Sequence, residues 1–174
     1  MKLLICLFLF LAAYARLTAE IQNTGPAKDQ AKTILEAEEE VFFDDETQRL
    51  IAAPNARLSS GSLLLVADRI EYDSKKTVAF ARGQVTLTDG TLRLLAREME
   101  INLSTGDFKA LEVKAGFYPR ITEGSEIKRE NDLITSKDAS FYLLDRHPLE
   151  PNLGFRQLTF DRNASSFSGK GVTL

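Results

Sequence analysis

The sequence contains no tryptophan, one cysteine and one histidine among its 174 residues. The single cysteine, Cys6, excludes an internal disulfide framework and a cysteine metal site. The single histidine, His147, precedes Pro148 in a loop-like segment. It lacks the companion residues that a catalytic triad or a histidine metal cluster requires. The sequence therefore predicts a protein that is not an enzyme and has no cofactor or metal site.

Concentrated positive charge is also missing. The chain has 22 basic and 25 acidic residues, and its lysines and arginines form no continuous stripe. Binding to nucleic acid requires basic side chains that neutralise phosphates, so this composition argues against a nucleic-acid partner. The acidic groups Glu38–Glu40 and Asp44-Asp45 are interpreted as solvated surface rather than as acid/base pairs or calcium ligands.

Residues 1–19 have the pattern of a secretory signal peptide. Lys2 is followed by an apolar run from Leu3 to Ala15, and small residues stand at possible cleavage points after Ala15 or Ala19. The run is shorter than the roughly 20 residues of a membrane-spanning helix. Residues 20–34 are polar and are predicted to form a flexible lead-in, so the folded domain is predicted over residues 35–174. Without residues 1–19 the chain carries 20 basic and 25 acidic residues and no cysteine.

An internal repeat dominates the folded part. Residues 43–73 align without a gap on residues 72–102, at a shift of 29 residues. A weaker copy begins at Phe155. Each unit alternates apolar strand-like stretches with short turns rich in Asp, Ser, Asn and Gly. The repeat therefore predicts successive β-hairpins, although a parallel β-helix that acts on polysaccharide remains an alternative.

The alternation of apolar residues changes phase within each long strand. The phase changes near Val66-Ala67 and again across Gly83, a residue suited to a bulge. A strand that turns a corner can serve two sheets. We therefore expect an all-β protein in which long antiparallel strands fold over into two facing sheets.

Five short motifs occur in a fixed order. They are Ala67-Asp68 at the start of a strand, Tyr72-Asp73 at a turn, Gly83-Gln84-Val85 in the next strand, Asp89-Gly90 at a polar turn, and the apolar strand from Leu92 to Ala96. In this order, over two repeats, they resemble the OstA-like domain of the LptA type, which also forms the periplasmic part of LptD. The segment from Phe117 to Asn152 follows the pattern poorly.

The resemblance implies a twisted β-jelly roll that carries the lipid A acyl chains of lipopolysaccharide across the periplasm. Its partners would be similar jelly-roll proteins, joined edge to edge, and the outer-membrane assembly barrel, so that the protein can associate with the outer membrane. The apolar strand faces also suit an ordinary core, and the resemblance favours lipid contact. The predicted lipid-binding residues are Ile51, Leu58, Leu63, Leu65, Ile70, Tyr72, Phe80, Val85, Leu87, Leu92, Leu94, Met99 and Ile101.

Two further expectations concern the rim of the lipid-binding interior and the edge strand at the end of the sheet. Basic side chains near the turns could contact lipid phosphates; these are Arg69, Lys75, Lys76, Arg82, Arg93 and Arg97. The last strand, which ends at Leu174, could accept a strand from another chain. The sequence does not separate a free transport protein from a detached docking module of the assembly protein, so both interpretations stay open.

Overall fold

The computed structural model describes residues 32–90, 92–117, 120–143 and 153–173. The predicted signal peptide and His147 lie outside these ranges. The described residues form thirteen strands, and every strand pair among them is antiparallel. The strands are β1 (Thr33–Glu36), β2 (Glu40–Asp44), β3 (Arg49–Ala53), β4 (Ala56–Ser60), β5 (Leu63–Ala67), β6 (Arg69–Asp73), β7 (Val78–Asp89), β8 (Leu92–Asn102), β9 (Phe108–Phe117), β10 (Arg120–Glu130), β11 (Leu133–Leu143), β12 (Leu153–Asp161) and β13 (Ser166–Thr173).

The sheet divides at β7. One path runs β1-β4-β5-β7, and a second runs β2-β3-β6-β7, so the two ends of β7 pair with different strands. From β7 onward, each strand passes through both parts of the sheet up to β13. We call the part that contains β1, β4 and β5 half-sheet A and the part that contains β2, β3 and β6 half-sheet B. The expected all-β, antiparallel architecture is confirmed.

A corner separates the two half-sheets. In β7 the register shifts between Arg82 and Val85, and the intervening Gly83 and Gln84 both have positive φ. The Asp68 amide, at the break between β5 and β6, donates to the Gly83 carbonyl at 2.9 Å. A Cβ at position 83 would overlap the Asp68 side chain, so the corner requires glycine there. The corner lies where the change in alternation placed it.

Four of the turns at the outer end of half-sheet B share one design. Asp44, Asp73, Asn102 and Asp161 each accept, through a side-chain oxygen, the amide hydrogen of the residue two positions later. Four positions after each of them, the backbone has positive φ, at Gln48, Thr77, Gly106 and Ser165. The first residues of β3 and β5 also precede the first residues of β7 and β8 by 29 residues, and the last residues of β4 and β6 precede the last residues of β7 and β8 by the same number.

The core lies between the half-sheets and is densest in the first half of the domain. Leu58, Leu65 and Leu87 of half-sheet A, and Ile70 and Ile101 of half-sheet B, are at most 2% exposed and belong to one cluster. This cluster shows that the inner faces of the half-sheets pack together. The first strand, β1, begins at Thr33, inside the segment predicted as a lead-in.

The described residues contain no group of His, Cys, Asp and Glu side chains that could hold a metal ion. Within the same ranges, no helix has the length and hydropathy to cross a membrane.

Candidate functional site

A cavity of about 230 Å³ lies between the half-sheets in the second half of the domain. Its walls carry the hydroxyl groups of Thr122 and Ser136, and the other lining residues are hydrophobic or glycine. We call this cavity the groove. It is lined by Leu92, Leu94, Phe108, Ala115, Gly116, Thr122, Ile127, Ile134, Ser136, Phe141, Leu158, Phe160 and Phe167.

A change of side-chain size along one row opens the groove on half-sheet A. Register places Leu58, Leu65, Leu87 and Leu94 side by side on consecutive strands, and all four are buried. The next two positions in the row are Ala115 and Thr122. Because residues opposite each other on neighbouring strands share a face, the leucine row simply stops at β9. The space that further leucines would fill is part of the groove.

Half-sheet B supplies the opposite wall. Ile127 of β10, Ser136 of β11 and Leu158 of β12 stand in register, and a second row of Ile134, Phe160 and Phe167 lies nearer the end of the sheet. The rings of Phe160 and Phe167 stack at 4.6 Å between centroids. Phe167 remains 71% exposed, so the groove reaches solvent at the edge strand β13.

Most predicted lining residues lie in the packed core instead. Leu92 and Leu94 line the groove. Leu63 and Tyr72 are half-buried and pack against the core cluster. The others on the inner face are at most 3% exposed, so they pack against other protein side chains and are not open to a ligand. They are Leu58, Leu65, Ile70, Val85, Leu87, Met99 and Ile101.

Two predicted lining residues are on the wrong face. Phe80 stands opposite Glu71, and Glu71 stands opposite Ile51, so all three share the outer face of half-sheet B. The inner positions of this part of β7 are the buried Ala79 and Ala81. Ile51 is 4% exposed but lies outside the core cluster. The prediction that Phe80 faces inward is therefore wrong.

The outer face around Phe80 carries a charged cluster. Arg49 lies over the Phe80 ring, with its guanidinium carbon 4.3 Å from the ring centroid. Arg49 also donates to Glu71 at 3.0 Å, and Arg69 donates to Glu71 at 3.2 Å. Burial alone would raise the pKa of Glu71, but these hydrogen bonds hold it below its usual value. The cluster thus stabilises the outside of the sheet and does not face the groove.

The predicted rim cations do not line the groove. Arg69 binds Glu71 on the outer face, Lys76 lies 3.9 Å from Asp73, and Arg97 pairs with Glu112 at 2.9 Å. Lys75, Arg82 and Arg93 are exposed and are also absent from its lining.

Arg129 is a cation near the groove that sequence reasoning missed. It stands in register with Phe108 and Ile134, two residues that line the groove. Among the described residues, no carboxylate lies within the 4.0 Å of a salt bridge to Arg129. Its Nε donates to the Asn131 carbonyl at 3.4 Å.

Five of the thirteen residues that line the groove fall in the part of the chain that follows the repeat pattern poorly. Ile127, Ile134 and Phe141 belong to strands β10 and β11, within the segment whose strands were uncertain from sequence. One signal could have indicated it: phenylalanines recur at positions 108, 117, 141, 155, 160 and 167.

The branched sheet presents three open edges. In the described part of the chain, β1 pairs only with β4, β2 pairs only with β3, and β13 pairs only with β12. On β2, Val41, Phe42 and Phe43 are between 40% and 51% exposed.

The chain is similar in structure to a known protein, although its sequence matches no known family model. No family model and no curated protein matches the sequence. Among solved structures, the chain is similar to LptH from Pseudomonas aeruginosa, whose crystal structure is described as the LptA homologous periplasmic component of the conserved lipopolysaccharide transport device. The identity is 10%, the TM-score is 0.34, and the match covers 80% of this chain and 82% of that chain.

Proposed function

We propose that this protein binds lipopolysaccharide in the periplasm and passes it toward the outer membrane, with a lipid A acyl chain held in the groove. The observation that carries this proposal is the groove itself, a cavity of about 230 Å³ with hydrophobic walls that reaches solvent beside Phe167. Each methylene that moves from water into such a site gains about 0.8 kcal/mol. An acyl chain therefore suits these walls better than a sugar or a peptide does.

The volume of the groove limits how much lipid it holds. A protein cavity of about 150 Å³ accepts benzene, which has six carbons, so by proportion the groove accepts a chain segment of about nine carbons. This is one acyl chain rather than a whole lipid. The rest of the molecule, including its headgroup, would extend past β13.

In this proposal the protein does no chemistry. The leucine core of the first units holds the half-sheets together, and the groove lowers the free-energy cost of moving an acyl chain through water. Export through residues 1–19 would place it in the periplasm. The open edges of β2 and β13 would join similar jelly-roll proteins and the assembly barrel by strand addition.

A second candidate is a docking module without a lipid cargo. The exposed side chains of Val41, Phe42 and Phe43 on β2 favour it, because apolar side chains on an open strand suit a protein partner. The β-helix enzyme is excluded for the described residues, since coils of that fold pair in parallel and these strands pair antiparallel.

Site-specific photo-crosslinking tests the proposal. A photoreactive side chain replaces Phe141 or Leu158 in the groove, and matched controls replace Ser140 or Thr159, the neighbouring residues on the outer face. In a lipopolysaccharide-producing host, we expect lipopolysaccharide to be captured from the two groove positions and not from the controls. Equal capture at all four positions, or capture at the controls alone, would refute groove binding. Protein adducts on β2 without any lipid capture would favour the docking module.

A further inference from the structure

Ser136 is a buried polar group without a partner. Its residue is 4% exposed, and its Oγ makes no hydrogen bond in the described structure. Leaving a buried hydroxyl unpaired costs about 1–3 kcal/mol, and native proteins pair the large majority of such groups. An orphaned hydroxyl in the wall of a ligand-sized cavity therefore points to a partner that the polypeptide itself does not provide.

The surroundings of Ser136 place it in the half-sheet B wall of the groove. It is flanked across the sheet by Ile127 and Leu158, which both line the groove. On the corner side, a Cβ built on Gly124 would lie 2.5 Å from the Ser136 Oγ. Glycine at position 124 thus leaves room for the hydroxyl, which any larger residue would displace.

An ordered water molecule is a poor partner at this point. A buried water needs two to four polar partners. Of the side chains that line the groove in the described ranges, only Thr122 offers a second hydroxyl. A ligand atom that is already held by its own apolar chain needs only the one hydrogen bond.

We propose that Ser136 hydrogen-bonds an oxygen atom carried along the acyl chain of the bound lipid, either a hydroxyl or an ester oxygen. The inference rests on the proposed function and adds a specificity to it. The hydrophobic walls accept any alkyl chain, whereas Ser136 selects a chain that is oxygenated at one position. That hydrogen bond also fixes how deeply the chain enters, because the oxygen must stop beside Ser136.

The test compares dodecanoic acid with a series of dodecanoic acids that carry one hydroxyl at different positions. Binding is measured by calorimetry to the folded wild type, to Ser136→Ala and to the matched control Ser140→Ala, whose serine lies on the outer face of the same strand. We expect one positional isomer to bind the wild type about 2- to 10-fold more tightly than dodecanoic acid. This preference should disappear in Ser136→Ala and persist in Ser140→Ala. Dodecanoic acid itself should bind Ser136→Ala at least as tightly as the wild type.

The outcomes separate this inference from the proposed function. If dodecanoic acid binds but no isomer is preferred, or if Ser136→Ala keeps the preference, the role of Ser136 is refuted and the groove remains a lipid site. If none of the acids binds the folded wild type, both proposals are refuted. A Gly124→Ala variant gives a second check, because its added Cβ should displace the hydroxyl and weaken the preference without removing Ser136.

Discussion

Strands β3–β8 and strands β9–β13 follow the same hairpin pattern, but the space between the half-sheets opens beside the second group, which supplies eleven of the thirteen residues that line the groove. In the first group, one row of four leucines closes the interior, and each leucine is at most 2% exposed. In the second group, Ala115 and Thr122 occupy the continuation of that row. The comparison teaches that side-chain size along a single row decides whether this architecture forms a core or a groove.

The burial of side chains also decreases from the first group of strands to the second. Among the described residues of β12 and β13, none is buried, although both strands keep regular antiparallel pairing. The backbone hydrogen bonds of the sheet thus continue beyond the point where the core ends. The first group can therefore supply most of the stability, while the second group stays accessible to a ligand.

The largest expected effect comes from a leucine-to-alanine substitution, made once in each region. Leu87→Ala removes a fully enclosed side chain and should lower the free energy of unfolding by about 2–5 kcal/mol, because the packed neighbours cannot fill the void. Leu158→Ala removes a half-buried side chain in the groove wall and should cost about 1 kcal/mol. Urea unfolding of both variants measures the difference. Equal losses would mean that the two regions are packed alike.

A second prediction extends the leucine row into the groove. Thr122→Leu should fill part of the cavity and weaken acyl-chain binding about 10-fold, which corresponds to the loss of roughly two buried methylenes. The same change at Thr86, whose register partner Leu95 lies on the outer face, is the control. Binding is measured by displacement of a fluorescent fatty acid. Unfolding in urea should show no loss of stability for Thr122→Leu, because the new side chain enters a space that is already apolar.

If Thr122→Leu binds the fatty acid as tightly as the wild type does, the acyl chain does not occupy the space between Ala115 and Ile127. If Thr86→Leu weakens binding equally, the effect is not specific to the groove.

Sequence reasoning located the hairpins, the corner and the turns because local chemistry specifies them. Gly83 adopts positive φ, and the Asp or Asn at each of the four repeated turns accepts a hydrogen bond from its own turn. These requirements act within a few residues. They are visible in a single sequence without knowledge of which strands later meet.

The position of the groove was not predictable in the same way. The predicted lining residues come from the two best repeats. The groove depends instead on which side chains strands β9–β11 place opposite each other. Alternation predicts the wrong face for Phe80 because Val78 and Phe80, two large apolar residues, share one side of the strand. In β7 the inner face instead carries alanines, and the Phe80 ring is covered from outside by the Arg49 guanidinium. Alternation alone does not tell which face of a strand is buried when a cation shields an apolar ring on the other face.

The smallest expected effect concerns the outer faces of the two regions. In the first region, Glu71 binds two arginines and its side chain is 17% exposed; in the second, Glu123 binds Tyr142 and Lys114 and its side chain is 44% exposed. The hydrogen bonds from these partners hold the pKa of both carboxyls below the usual value, against burial, which raises it most at Glu71.

The pH dependence of stability should therefore differ between the matched variants Glu71→Gln and Glu123→Gln. At neutral pH we expect losses of about 1 kcal/mol for Glu71→Gln and roughly 0.3 kcal/mol for Glu123→Gln, because solvent screens the more exposed pair. A carboxyl whose folded-state pKa is depressed stabilises the fold above its unfolded pKa of about 4.3, and this stabilisation is lost as the pH falls through the folded value. Each variant should thus converge on the wild type in urea unfolding below pH 4. A constant difference down to pH 3 would mean that packing, rather than charge, holds Glu71 in place.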